Sequence, residues 1–349
     1  MPSRSSRREG SHRFLITSSG AAATRWLGGS LNRHPDICCS CGPGALEVSL
    51  DYDRTITSTD LDAIADFHSE HLVRGGSQPL AVDALFDALE RSRDAAAYGN
   101  IHAETVATFA NNILRYPPQR PITVVNLIRH PIPRTESKAA ILRGDSKASR
   151  KMSDLVNLQF EDRLVRHAPL AVAIADQVGD FRETSEQRHF VNAVFDTIEG
   201  LLEFETPGVS NTIRHYPIES LKSDPGAFRA FVAHITAGRV GTSDDFLAWV
   251  FSPENLNAGR TRKDALGQRP PLEPHEQWQS WEEWQRRVFQ VALESTRLRG
   301  HYEERGYDFS CLGALPAPRF PGFGRRILPA AASTSRPLTS SPALFNQMP

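Results

Sequence analysis

The chain has 349 residues, with 40 Lys+Arg against 41 Asp+Glu, a formal net charge of −1 and 40% hydrophobic residues. This composition excludes a wholly disordered or collagen-like chain. The charge balance excludes a global positive field that would draw in nucleic acid, so any anion site must be local.

Residues 1–12 are rich in Ser and Arg with no apolar run, and a disordered basic N-terminus is expected. No stretch reaches the roughly 7–15 apolar residues of a signal peptide or the about 20 of a membrane span, so a soluble, cytoplasmic protein without a membrane span is expected. Phe14-Leu15-Ile16 is a short apolar run that enters the small-residue turn Thr17-Ser18-Ser19-Gly20. A helix over 21–32 follows and stops before His34-Pro35. Strand, small-residue turn and helix open many phosphate-binding α/β units.

Ile37 to Ser40 reads as a short second strand. Three of the four cysteines, Cys38, Cys39 and Cys41, crowd there, with Cys311 far away. That is poor geometry for a disulfide framework, and no second ligand pair stands at zinc spacing, so no metal is expected. Residues 59–73 and 82–97 read as helices, broken at Arg74-Gly75-Gly76-Ser77. Asn100-Ile101-His102 is a weak strand, and a helix over 103–115 ends before Tyr116-Pro117-Pro118.

Ile122 to Ile128, ITVVNLI, is the best strand of the chain, almost continuously apolar as in a strand buried on both faces. It ends at Arg129-His130-Pro131, and Pro133 is expected to open the next helix. A helical segment over 145–205 follows, with Phe190, Val191, Val194, Phe195, Ile198, Leu201 and Leu202 on the helical period. Residues 212–216 offer a fourth strand, and Trp278, Trp281, Trp284, Val288, Val291 and Ala292 trace one helix face. Residues 313–349, rich in Pro, Ser and Ala, are expected to be a disordered tail. Strands alternating with helices predict one α/β domain over 13–312, a three-layer sandwich whose central, mainly parallel sheet of about four or five strands carries helices on both faces.

Three patches align with one family. They are Thr17-Ser-Ser-Gly-Ala-Ala-Ala-Thr-Arg-Trp-Leu27 with the later His34-Pro35-Asp36, then Arg129-His-Pro-Ile-Pro-Arg-Thr-Glu-Ser137, then Arg262-Lys263 with Gly267. Together they resemble the sulfotransferase family, which has a P-loop NTPase-like fold and moves a sulfuryl group from 3′-phosphoadenosine 5′-phosphosulfate (PAPS) to a hydroxyl or amine. The resemblance runs from about Phe14 to Asp308. It implies that Ser18, Ser19, Gly20, Ala23, Thr24, Arg25 and Trp26 form the 5′-phosphosulfate loop, where small residues let N–H groups close around an anion at a helix start. The loop lysine of the family falls at about Ala21, and Arg25 stands in for it. By the same resemblance Arg129 and, eight residues later, Ser137 hold the 3′-phosphate, arginine suiting phosphate through its planar donors. Arg262, Lys263 and Gly267 match a closing loop, although Asp264 and Gln268 depart from its pattern.

The chemistry implied is in-line displacement, with positioning and charge stabilisation dominant and a base for the acceptor proton. His102 is the first candidate base and Glu47 the second, with Asp51 and Asp53 weaker. The family's lysine just before that histidine is replaced at about Gly99. The donor would be PAPS without a metal, and the acceptor a hydroxyl-bearing small molecule, lipid or glycan, with a homodimer admitted. Two other classes stay open: a sulfotransferase-like protein that binds nucleotide or partner with little or no transfer, and a P-loop small-molecule kinase. The kinase lacks support from a Gly-Lys-[Ser/Thr] run or a Walker acid after Val124-Val125.

Overall fold

In the computed structural model the residues described are 10–18, 23–41, 82–102, 113, 116–143, 153–205, 213–257, 273–310 and 312. The expected disordered ends, and the helices expected over 59–73 and most of 103–115, lie outside them. Five strands form one sheet: β1 (His12–Ser18), β2 (Ile37–Cys41), β3 (Ala97–His102), β4 (Ile122–Ile128) and β5 (Arg214–Pro217), in the order β2-β3-β1-β4-β5. Every pairing is parallel. Side chains alternate across each strand, so both faces need cover. Phe14, Ile16, Val125 and Leu127 face one layer, which holds α1 (Thr24–Arg33) and Phe228, Phe231 and Val232. Leu15, Cys38 and Tyr98 face the other, under Leu85, Phe86 and Leu89 of α2 (Val82–Ser92).

Burial of each such side chain stabilises the fold by roughly 1.5–3 kcal/mol. The helical segment supplies a second mass beside the sheet. Its helices are α3 (Pro131–Leu142), α4 (Ser153–Arg166), α5 (Ala168–Val178), α6 (Ser185–Glu199) and α7 (Leu202–Glu205). Ile128, Ile132, Phe190, Val194 and Phe195 share one core there with Trp278, Trp281 and Phe289. After β5 come α8 (Ile218–Ser223), α9 (Pro225–Ile235), α10 (Asp244–Val250), α11 (Pro253–Asn257), α12 (Pro274–Ser280), α13 (Glu283–Ser295) and α14 (Leu298–Glu303).

Several boundaries differ from the sequence expectation, three of them for a physical reason. The second helix ends at Ser92 rather than 97, because Ala97 to Asn100 pair with β1 on one side and β2 on the other. Tyr98 fixes the turn before them, its hydroxyl donating to Arg93 O at 2.8 Å and accepting from Ala95 N at 3.0 Å. Tertiary pairing thus overrides the helix propensity of the alanines. The helix after β4 starts at Pro131 rather than Pro133, since its first-turn N–H groups have no intrahelical acceptor and prolines lose nothing there. The strand before α8 starts at Arg214 rather than 212. The tryptophan run is two helices, α12 and α13, parted at Trp281-Glu282, where Glu282 N donates to Gln285 Oε1 at 2.8 Å in a capping box.

Cys38 is buried on the α2 side of β2, 3.7 Å from Ser92 Oγ, and Cys39 is buried on the α1 side. Positions 38 and 41 are three apart in a strand and so fall on opposite sides of the sheet. No described helix is long and apolar enough to cross a membrane.

Candidate functional site

In an open parallel sheet, ligands bind beyond the carboxyl ends of strands whose following helices depart to opposite faces. The β1 and β4 tips meet that condition. Thr17 pairs with Asn126 and Ser18 with Leu127. From β1 the chain passes to α1 on the Phe14 side, and from β4 to α3, whose Ile132 packs with Ile128 on the opposite side. A row of buried polar groups runs under these tips. Thr17 Oγ1 donates to Asn126 Oδ1 at 3.1 Å, and Asn126 Nδ2 lies 3.1 Å from His215 Nδ1 on β5.

At the β4 tip Arg129 Nη1 donates to Ser137 Oγ at 2.8 Å. Ser137 is the seventh residue of α3, well past the first turn, so the anion preference of a helix start does not reach it. Its hydroxyl acts through the guanidinium instead. Burial lowers the Arg129 pKa from its ordinary value, the Glu219 carboxylate opposes that shift, and the Arg134 guanidinium adds to it. Glu219, on α8, accepts from His130 N at 2.9 Å and from the Tyr307 hydroxyl at 2.9 Å. Burial and the Glu219 charge push the Tyr307 phenol up, so it stays protonated and donating. His130 caps α3, its Nδ1 accepting from Ile132 N at 3.2 Å. Burial pushes its pKa down to about 4, which leaves the ring neutral at pH 7. Beside this cluster lies a cavity of about 660 Å³, bordered by His130, Glu219, Glu273, His275, Arg305 and Tyr307.

At the β1 tip Ser18 is buried, and α1 begins at Thr24 after Ala23, which is held at φ 52° in the left-handed region that favours glycine. Ser19 and Gly20 lie outside the described residues. Arg25 is described in its backbone only, as the second residue of α1. Thr24 is half-buried. Trp26 is buried in the layer on the Phe14 side, edge-on to Phe228 at 6.0 Å.

His102, described in its backbone only, ends β3 and pairs with Thr17. That register sets it one strand from the turn. Gly99 pairs with Phe14, and a Cβ there would come within 2.0 Å of the Phe14 ring. Glu47, Asp51, Asp53, Arg262, Lys263 and Gly267 lie outside the described residues. Among the described residues no three His, Cys, Asp or Glu side chains gather as metal ligands.

Sequence reasoning missed Glu219 beside His130 and Lys222 beside Trp26. Both come from the short helix α8, distant in the chain, and no local pattern announces such a contact. Tyr307, whose hydroxyl donates to Glu219, likewise comes from far along the chain.

Neither a protein-family model nor a curated protein sequence matches the chain. Among solved structures, the sulfotransferase domain from the Synechococcus PCC 7002 olefin synthase aligns over 86% of this chain and 96% of its own, at 12% identity and a TM-score of 0.38. A sulfotransferase from Alicyclobacillus acidocaldarius aligns over 71% of this chain and 94% of its own, at 16% identity and a TM-score of 0.35. Both are loose likenesses, and the fold described above stands on the strand pairing itself.

Proposed function

We propose that the chain is a sulfotransferase that uses PAPS to sulfate an acceptor hydroxyl. The observation that carries the reading is the Arg129–Ser137 pair, hydrogen-bonded at 2.8 Å on the strand tip next to the small-residue turn of β1. A half-buried guanidinium oriented by a neutral hydroxyl suits a phosphate, because its planar donors match phosphate oxygens. The motif resemblance assigns that phosphate to the 3′ position of the nucleotide. The first-turn N–H groups of α1 suit a 5′ anion, because they have no intrahelical acceptors and lie at the positive end of the helix dipole.

PAPS, when bound, supplies an activated sulfuryl group on a phosphate leaving group. The chain's own tasks are then three. Arg129 and Ser137 fix one end of the donor. The start of α1 stabilises charge that grows on the leaving phosphate. His102, one strand from that turn, takes the acceptor proton as the new oxygen–sulfur bond forms. Glu47 remains the alternative base.

Thermal melting tests the reading. 3′-phosphoadenosine 5′-phosphate should raise Tm and ATP with Mg²⁺ should not, since only the former has a 3′-phosphate. Equal shifts by both would defeat the assignment. His102→Ala should keep the shift and lose sulfate transfer, and full turnover in that variant would move the base elsewhere.

Gly99 favours a second reading, a sulfotransferase-like protein that binds nucleotide or partner without efficient transfer. The Phe14 ring fills the space a lysine side chain would need there. Isotope-labelled PAPS offered with a broad panel of hydroxyl acceptors separates the two. Transfer above background to any acceptor rejects the second reading.

A further inference from the structure

The proposed 3′-phosphate site has a carboxylate at its edge. Glu219 Oε1 accepts from the backbone N–H of His130 at 2.9 Å, and that N–H belongs to the peptide joining His130 to Arg129. An anion so placed opposes phosphate binding in two ways. Its charge repels the ligand, and an oxygen turned toward the guanidinium would compete for the donors that the phosphate needs. The Glu219 charge reaches Arg129, because it opposes the lowering of the Arg129 pKa by burial.

The structure shows what holds the second oxygen. The Tyr307 hydroxyl donates to Glu219 Oε2 at 2.9 Å. A phenol kept protonated is a neutral donor, so it restrains the carboxylate without adding charge beside Arg129. Tyr307 is itself fastened. Its N–H donates to Tyr302 O at 3.1 Å, and its ring stands edge-on to Tyr302 at 5.3 Å and to His130 at 5.5 Å. Gly306, at φ 84°, supplies the turn from α14 into this segment. His130 Nε2 lies 3.2 Å from Asp308 O. A carbonyl only accepts, so that nitrogen carries the proton and Nδ1 is left to accept from Ile132 N. Residue 130 thus meets Glu219 through its backbone and the 307–308 segment through its ring.

We propose that Tyr307 is a positioning residue of the donor site: by holding the Glu219 carboxylate against His130, it keeps that carboxylate from competing with the 3′-phosphate of the nucleotide for Arg129. The inference rests on the donor-site reading of the preceding section. It assigns the segment after α14 a share in nucleotide affinity that acts through Glu219.

Calorimetric titration of the full chain decides the matter with two probes, 3′-phosphoadenosine 5′-phosphate and adenosine 5′-phosphate. Tyr307→Phe keeps the ring against His130 and Tyr302 and removes only the hydroxyl. It should weaken the 3′-phosphate probe roughly tenfold and adenosine 5′-phosphate by less than about twofold. Glu219→Gln has no carboxylate to compete and should bind the 3′-phosphate probe at least as tightly as wild type. Tyr307→Phe added to Glu219→Gln should then cost less than about twofold, because the hydroxyl acts through the carboxylate. Wild-type affinity in Tyr307→Phe overturns the role of Tyr307 and leaves the donor site standing. Equal losses for the two probes also overturn it, since they report a disturbed fold rather than a lost 3′ contact. So does a loss that persists in the Glu219→Gln background. Glu219→Gln keeps the test open if Tyr307→Phe is too unstable to titrate: weakened binding of the 3′-phosphate probe in that variant would make the carboxylate a support of the site and overturn the proposal. A wild-type chain that binds the two probes equally, or neither, overturns the donor-site reading and this inference together.

Discussion

Two arginines stand at opposite ends of the sheet, one buried and one half-buried. Arg13, near the amino end of β1 and 3% exposed, is met by three carboxylates of α2: Asp83 at 2.9 Å, Asp87 at 3.0 Å and Glu90 at 3.0 Å. Its guanidinium also lies 5.2 Å from the Phe86 ring centroid. Arg129, past the carboxyl end of β4, is met by the neutral hydroxyl of Ser137 and by the field of Glu219, a carboxylate already engaged by His130 and Tyr307. The first arginine is over-neutralised, and its cluster is a clamp that ties strand to helix. On the proposed reading the second turns its charge toward a bound phosphate. The groups that surround an arginine, more than its burial, separate a clamp from a binding group.

The comparison breaks most visibly on removal of Arg13. Arg13→Met keeps the apolar stem against Phe86 but leaves Glu90, which is 9% exposed, with Arg120 as its remaining cation at 2.8 Å. Asp83 and Asp87 are more exposed and add less. A cost of roughly 3–5 kcal/mol is expected, a Tm loss on the order of 10 °C, with nucleotide affinity unchanged in the folded fraction. A Tm loss below about 2 °C would mean that the clamp contributes little.

The carboxyl end also carries the largest of the pH responses, in His130. His130 in the fold titrates at about 4, against an ordinary histidine value of about 6.5. Between those values the unfolded chain takes up a proton that the folded chain does not. Stability from this group is therefore complete above pH 6.5, falls as pH drops toward 4, and is flat below. The integrated loss is roughly 3 kcal/mol. His12, His189 and His234 are also lowered, burial being the largest cause in each, and they slope in the same direction. His130→Asn isolates the effect, because asparagine can still cap α3 while it does not titrate. The variant should unfold with a visibly shallower pH dependence over 4–6.5, and an unchanged slope would show that another group sets it.

How far the sequence could be read follows from which interactions are local. ITVVNLI was legible as a doubly buried strand because its own residues carry the pattern, and β4 has the expected limits. The start of β3 was not legible, since Ala95-Ala96-Ala97 favour helix and only the flanking strands overrule them. Arg129 and Ser137 were legible as a spaced pair, and the structure sets them in contact. Glu219 lies 90 residues from Arg129 in the chain, Tyr307 178 and Lys222 93. Contacts at such separations leave no trace in local periodicity.

Arg129→Ala sharpens the comparison from the other side. Removal of a charge-assisted, multidentate partner should weaken 3′-phosphoadenosine 5′-phosphate by roughly 100-fold, about 2.7 kcal/mol. Glu219 keeps its bonds from His130 and Tyr307, so Tm without ligand should fall by far less than in Arg13→Met. The two variants should thus exchange phenotypes: one loses the fold and keeps the affinity, the other the reverse. A destabilised Arg129→Ala with normal affinity would make both arginines clamps.

Ser137→Ala carries the smallest expected effect and the finest distinction. If the hydroxyl only accepts from Arg129, its loss removes one neutral acceptor from a guanidinium that retains its charge, and affinity should fall roughly 3- to 10-fold. Thr135, two residues earlier on α3, is a fitting control because its hydroxyl is 2.8 Å from Thr197 on α6 and belongs to helix packing. Thr135→Val should lower Tm without moving the affinity. Ser137→Ala should move the affinity and leave Tm within about 1 °C, since the side chain is half-buried and its bond joins residues only eight apart. A Ser137→Ala variant that binds as tightly as wild type would assign the 2.8 Å bond to local helix geometry, and the proposed phosphate contact would then rest on Arg129 without its hydroxyl partner.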